Sequence, residues 1–144
     1  MFGRRLYLVG QHWRREIDRR MREFGLSDAT WRPLLYLGRY GDGVRQTDLA
    51  AALDIEGPSL VRLLDRLGRA GLIERRAEAV DRRAKRLHLT AAGHATYHRV
   101  ANTYEAVAAL LLADIPPADL AACDRVITAI DAALQAQAQA QDSP

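Results

Sequence analysis

The chain has one cysteine, Cys123, and one lysine, Lys85, in 144 residues. A single thiol cannot close an internal disulfide, and no cysteine pair exists to hold a structural zinc, so folding has to come from packing. Long apolar runs are missing too. Stretches such as Val107 to Ala113 fall far short of the roughly 20 residues that a membrane span needs. No cleavable signal pattern opens the chain, and the expectation is a soluble, cytoplasmic protein with no membrane partner. Catalytic signatures are also missing: there is no Gly-x-Ser-x-Gly elbow, phosphate loop, His-Glu-x-x-His pair or dinucleotide fingerprint. The expectation is therefore a protein that is not an enzyme and uses no cofactor. At 49% hydrophobic, the length suits one sizeable core and is short for two ordinary domains.

What the chain does have is arginine, at twenty to one over lysine, with a net charge of +3. The total is a weak guide, but its placement says more. Residues 57–90 hold nine Arg or Lys against four Asp or Glu, whereas 91–144 carries a net charge of −4. A basic centre followed by an acidic C-terminal third is expected where one element faces phosphate and another does not.

Apolar periodicity predicts a helix over 4–24, with Leu8, Trp13, Ile17 and Phe24 among its apolar positions and Gly25 ending it. Ser27 is placed to cap a second helix with Trp31, Leu34 and Leu35 inward, Pro33 near its first turn, and Gly41-Asp42-Gly43 as the turn beyond. Thr47 is expected to cap a short helix over 48–53, and Pro58 to open a fourth helix that runs to about Ala70 before Gly71 stops it. Two short helices about a tight turn form a helix-turn-helix. Residues 72–76 and 85–89 then read as two strands of a charged hairpin. Thr90 caps a long helix over 91–113, Pro116-Pro117 breaks it, and a last helix carries Leu120, Cys123, Ile127, Ile130 and Leu134. The expected fold is mostly helical with a small β-hairpin wing.

Within the helix that Pro58 opens, Leu60, Leu63, Leu64 and Leu67 share one face, while Ser59, Arg62, Arg66 and Arg69 recur at steps of three and four on another. One side suits a core and the other a DNA major groove, where a guanidinium can donate two parallel hydrogen bonds to guanine O6 and N7. Arg62 is the candidate base reader. Ser59 and Thr47, at helix starts with free backbone N–H groups, suit phosphate. At the hairpin end Arg82 and Arg83 suit a narrow minor groove, with Asp81 pairing one of them to fix its direction. Pro58, Val61 and Lys85 complete the candidate set. An ordinary solvated arginine face is the bland alternative, and its position beside a basic hairpin argues against it.

The run from Pro58 to Leu67, then Gly71-Leu72-Ile73-Glu74-Arg75-Arg76, then Asp81-Arg82-Arg83-Ala84-Lys85-Arg86-Leu87-His88-Leu89-Thr90, resembles the MarR family, especially its SlyA branch. The resemblance implies an obligate homodimer, with 1–24 and 91–140 as dimerisation helices and 27–90 as the winged helix-turn-helix, bound to a pseudopalindromic operator of double-stranded DNA. It also implies release by a small phenolic or aromatic carboxylate, with Trp13, Arg14 and Trp31 matching pocket positions of that branch. Trp31 would stack a ring and Arg14 take a carboxylate. The alternative for these three is two core tryptophans and a solvated arginine. The apolar faces from Tyr97 to Leu111 and from Leu120 to Leu134 independently argue for a dimer.

Two further readings remain. His94 and His98 stand one helical turn apart and can offer two imidazoles to a metal, but two ligands do not make a site, so no metal is expected. A winged helix used only for protein contacts is the other, and the arginine placement disfavours it. Cys123, with apolar neighbours, is expected to be a packed, inert thiol.

Overall fold

The computed structural model describes residues 1–41, 43–77 and 85–141. Its described elements are α1 (Phe2–Glu23), α2 (Asp28–Tyr40), β1 (Val44–Arg45), α3 (Gln46–Leu53), α4 (Gly57–Arg69), β2 (Ile73–Ala77), β3 (Lys85–Leu89), α5 (Ala91–Leu112) and α6 (Pro117–Gln141). They fall into two compact units, Met1–Val107 and Ala108–Pro144. The first contains the helix-turn-helix, α3 and α4, and the wing strands.

Helix ends follow from the residues that punctuate them. After α1 and α4 the chain turns at Gly25 (φ 74) and Gly71 (φ 68), where glycine alone adopts the left-handed region without strain. The next amides reach back five residues, Leu26 to the Met21 carbonyl and Leu72 to the Leu67 carbonyl, each at 3.0 Å. That bond satisfies carbonyls that a helix end leaves open. α3 ends the same way on Asp54, a non-glycine residue at φ 52. Thr90 caps α5 as expected: its Oγ1 accepts the Gly93 amide at 3.0 Å and donates to the Gly71 carbonyl at 2.5 Å. Gly93 is required there, because a Cβ would stand 2.0 Å from the Leu72 carbonyl oxygen.

Three local expectations are corrected. Thr47 is not a cap; Arg45 is, and α3 starts at Gln46, because β1 delivers the chain into the helix one residue earlier. Pro33 lies inside α2 as its sixth residue, beyond the first turn. The wing also has a third strand. The sheet order is β1-β3-β2, antiparallel throughout, with Val44 opposite Leu87, and Arg75 opposite Leu87 on the other side. Two residues are too few to display a period of two, so β1 leaves no sequence pattern.

Two apolar clusters hold the first unit. One gathers Leu34 and Leu37 of α2, Leu49 of α3, Leu60 and Leu64 of α4, and Leu87 of β3. The other joins Ile17 and Met21 of α1 to Trp31, Leu35, Val100 and Val107. Tyr97 packs against both. The first three turns of α1 bury nothing, and Phe2, Tyr7 and Val9 are exposed. In α6 no residue is buried, and Val126, Ile127 and Leu134 stand in solvent. Cys123 is exposed rather than packed: its apolar neighbours belong to a helix face that nothing within this chain's second unit covers. No single described helix is long and apolar enough to cross a membrane.

Candidate nucleic-acid interface

α4 has its orientation set by its leucines. Leu60, Leu63, Leu64 and Leu67 are all less than a tenth exposed, so the opposite face must point outward. The helix opens without a side-chain cap, and its first hydrogen bond runs from the Leu60 amide to the Glu56 carbonyl at 3.0 Å. The amides of Gly57 and Ser59 precede that bond and are available to an anion, while Pro58 supplies a suitable φ with no amide to satisfy.

Along the outer face Ser59, Arg62, Asp65, Arg66 and Arg69 line one open groove. Ser59, Arg62, Arg66 and Arg69 are exposed, as is Val61 beside them. None of the three arginines makes an ion pair among the described residues. Arg19 and Arg20 of α1, by contrast, are both engaged by Glu16, whose carboxyl they hold down at about 2. Unpaired guanidiniums can meet phosphate or base edges without first breaking an internal contact.

A second groove runs between α4 and the wing, lined by Leu64, Asp65, Gly68, Arg69, Ile73 and Arg75. In it the Arg75 guanidinium donates to Asp65 at 2.7 Å. Elsewhere on the wing Arg76 pairs with Glu74 two residues away, and Arg86 of β3 reaches back to the segment before β1, donating to the Gly43 carbonyl at 2.7 Å. Lys85 opens β3, exposed and opposite Ala77. Thr47 is exposed as the second residue of α3. Asp81, Arg82 and Arg83 lie outside the described residues.

The effector candidates sit where α1 meets α2. Trp31 is 4% exposed and its indole N–H donates to Asp18 at 2.8 Å. Trp13 packs half-buried against the same cluster. Arg14 donates to Asp28 at 2.7 Å, and Arg32 stands 3.8 Å from the same carboxylate oxygen. An incoming carboxylate would therefore compete with Asp28 for Arg14. His94 and His98 are both exposed on α5, and no group of three potential metal ligands occurs among the described residues.

A family model described as MarR family matches residues 24–84, which span α2 to the wing. The crystal structure of the transcriptional regulator PA3341 is 38% identical, with 94% of this chain and 98% of that chain covered at a TM-score of 0.85. The chain belongs to the MarR family. Mutant MarR from E. coli is similar in fold at 21% identity, with 90% and 96% covered and a TM-score of 0.78. So is MepR in the S. aureus MepR-DNA complex, at 22% identity, with 92% and 98% covered and a TM-score of 0.78.

As a MarR-family winged helix, the chain brings Ser59, Arg62 and Arg66 onto one surface. Sequence reasoning overlooked the acid in the middle of that surface and its partner on the wing. The signal was present: Asp65 follows Arg62 by three residues, and Arg75 follows buried Ile73 by two, on the same face of its strand.

Proposed function

We propose that this chain is a sequence-specific regulator of transcription that binds double-stranded DNA as a homodimer on a pseudopalindromic operator, with features of the SlyA branch. The observation that carries the reading is the outer face of α4, where Arg62, Arg66 and Arg69 stand exposed and without an ion pair among the described residues above an uncapped helix start. In the major groove Arg62 reads guanine, Val61 meets an apolar base edge, and Ser59 and Thr47 take phosphate. Arg82 and Arg83 enter the minor groove, with Asp81 orienting one of them and Lys85 meeting the backbone.

Dimerisation rests on the exposed apolar residues of α1, α5 and α6, among them Phe2, Leu110, Leu111, Ile127 and Leu134. Surfaces of this kind mark association sites. Residues 1–24 and 91–140 form the dimer, and 27–90 form the reading head. Two-fold symmetry then sets the recognition helices roughly 34 Å apart, one duplex turn. The effector is a small aromatic or phenolic acid that takes Arg14 from Asp28 beside Trp13 and Trp31. A DNA-bound regulator of this kind works in the cytoplasm.

Selection of bound fragments from random duplex DNA tests the reading. Enrichment of an inverted repeat with one-turn half-site spacing is the expected result. If no duplex is enriched, DNA binding is wrong and a winged helix used for protein contacts takes its place.

A further inference from the structure

Asp65 is the only acid between Gly57 and Ile73, and it lies in the groove with Ser59, Arg62, Arg66 and Arg69. On charge alone this is a poor place for a carboxylate, because it repels the phosphates that the neighbouring arginines attract. Among the described residues its one ion pair is with the wing. Arg75 donates to Asp65 Oδ1 at 2.7 Å, joining the middle of α4 to the middle of β2.

The strand geometry explains why Arg75 makes this contact. Ile73 is 4% exposed, and alternation along β2 puts Arg75 on the same side, opposite the fully buried Leu87. Glu74 and Arg76 fall on the other side and pair with each other. The Arg75 side chain is 29% exposed, and its guanidinium reaches across to the helix at Asp65. Gly68, one turn after Asp65, lines the same groove.

We infer that the Asp65–Arg75 pair is a positioning brace that sets the direction of the wing relative to the recognition helix, and so couples minor-groove to major-groove contact. The inference rests on the DNA-binding reading above. A partly exposed pair of this kind adds little to global stability. Its effect is on geometry, since a small rotation at Arg75 is carried along β2 and β3 toward the residues that join them.

The two accounts of Asp65 differ in sign. If it acts only as a charge, Asp65→Asn removes a repulsive group, and binding to every duplex tightens. If it is a brace, Asp65→Asn weakens binding to the selected operator while random duplex is held as well as before or better. The measurement is the ratio of operator to random-duplex affinity at one fixed salt concentration, for wild type, Asp65→Asn, Arg75→Gln and the exchange variant Asp65→Arg with Arg75→Asp. The ratio is expected to fall roughly three- to tenfold in each single variant and to recover in part in the exchange, as coupled pairs do. Circular dichroism and melting temperature identify any variant that has lost its fold, and loss of folded protein lowers both affinities together without moving their ratio. An unchanged or raised ratio in Asp65→Asn overturns the brace. Failure of wild type to prefer any duplex instead overturns the DNA-binding reading beneath it.

Discussion

The ring of Tyr97 lies so close to Gly38 that a Cβ added at Gly38 would stand 2.2 Å from ring Cδ2. Gly38 is inside α2 and Tyr97 inside α5, and Tyr97 is the residue that packs on both apolar clusters. The ring therefore has little freedom to withdraw. Gly38→Ala gains about 1 kcal/mol of helix propensity, but overpacking of a filled site costs about 1–3 kcal/mol and more where the ring cannot move. The expected result is a net loss of stability in urea, and a smaller loss when the same change is made in a Tyr97→Ala background, where the ring is gone. A more stable single variant would show that α2 and α5 can part at no cost.

Arg62→Ala is expected to weaken operator binding by ~1–3 kcal/mol and to relax sequence choice at one position. Arg83→Ala is expected to lower affinity for most duplexes alike. A titration of both variants at fixed salt separates the two roles, and equal binding by wild type and both variants would remove the assignment.

Arg14 and Asp28 make the effector reading testable in an unusual direction. Because Asp28 already accepts from Arg14 at 2.7 Å, Asp28→Asn takes away a competing anion. The variant should bind an aromatic carboxylate such as salicylate more tightly than wild type, and Arg14→Ala should bind it less tightly. Tryptophan fluorescence quenching reports binding, and operator release reports coupling. Operator affinity unchanged at millimolar ligand in all three proteins counts against an aromatic-acid effector.

Ile127 is 51% exposed on α6, so Ile127→Glu removes no contact that folding of the single chain needs. Light scattering is expected to find wild type as a dimer and the variant shifted toward monomer, with helix content kept and operator affinity lost. A variant that remains dimeric would move the interface away from α6.

Glu16 gives the acid limb a defined sign. Hydrogen bonds from Arg19 and then Arg20 lower its carboxyl from 4.5 to about 2. A lowered folded-state pKa contributes stability that is complete above 4.5 and lost as pH falls through 2. Glu16→Gln should therefore flatten the fall in melting temperature across that window, and the difference from wild type should be small because the pair is exposed. Parallel acid limbs for the two proteins would show that the pairing does not persist in solution.

Much of the fold was legible in residue order because its signals are local. The four leucines of α4 repeat at helical spacing, Gly25 and Gly71 mark helix ends, and Thr90 stands one residue before α5. These features depend on neighbours within one or two turns, and the outward direction of Arg62 and Arg66 follows from them. β1 did not announce itself, since its pairing with β3 joins residues some forty positions apart and only chain folding brings them together.

The sequence alone determined which face of α4 is apolar and which is basic, because a period of 3.6 sorts residues without help from elsewhere. Tertiary structure decided which charges on that face are engaged. Asp65 has Arg62, Arg66 and Arg69 on its own helix, yet the partner it takes is Arg75, ten residues on and on a strand. Arg14 likewise takes Asp28 on the next helix. The choice between several arginines depends on the crossing of elements and on how much water each side chain keeps, and neither quantity is written in a local repeat.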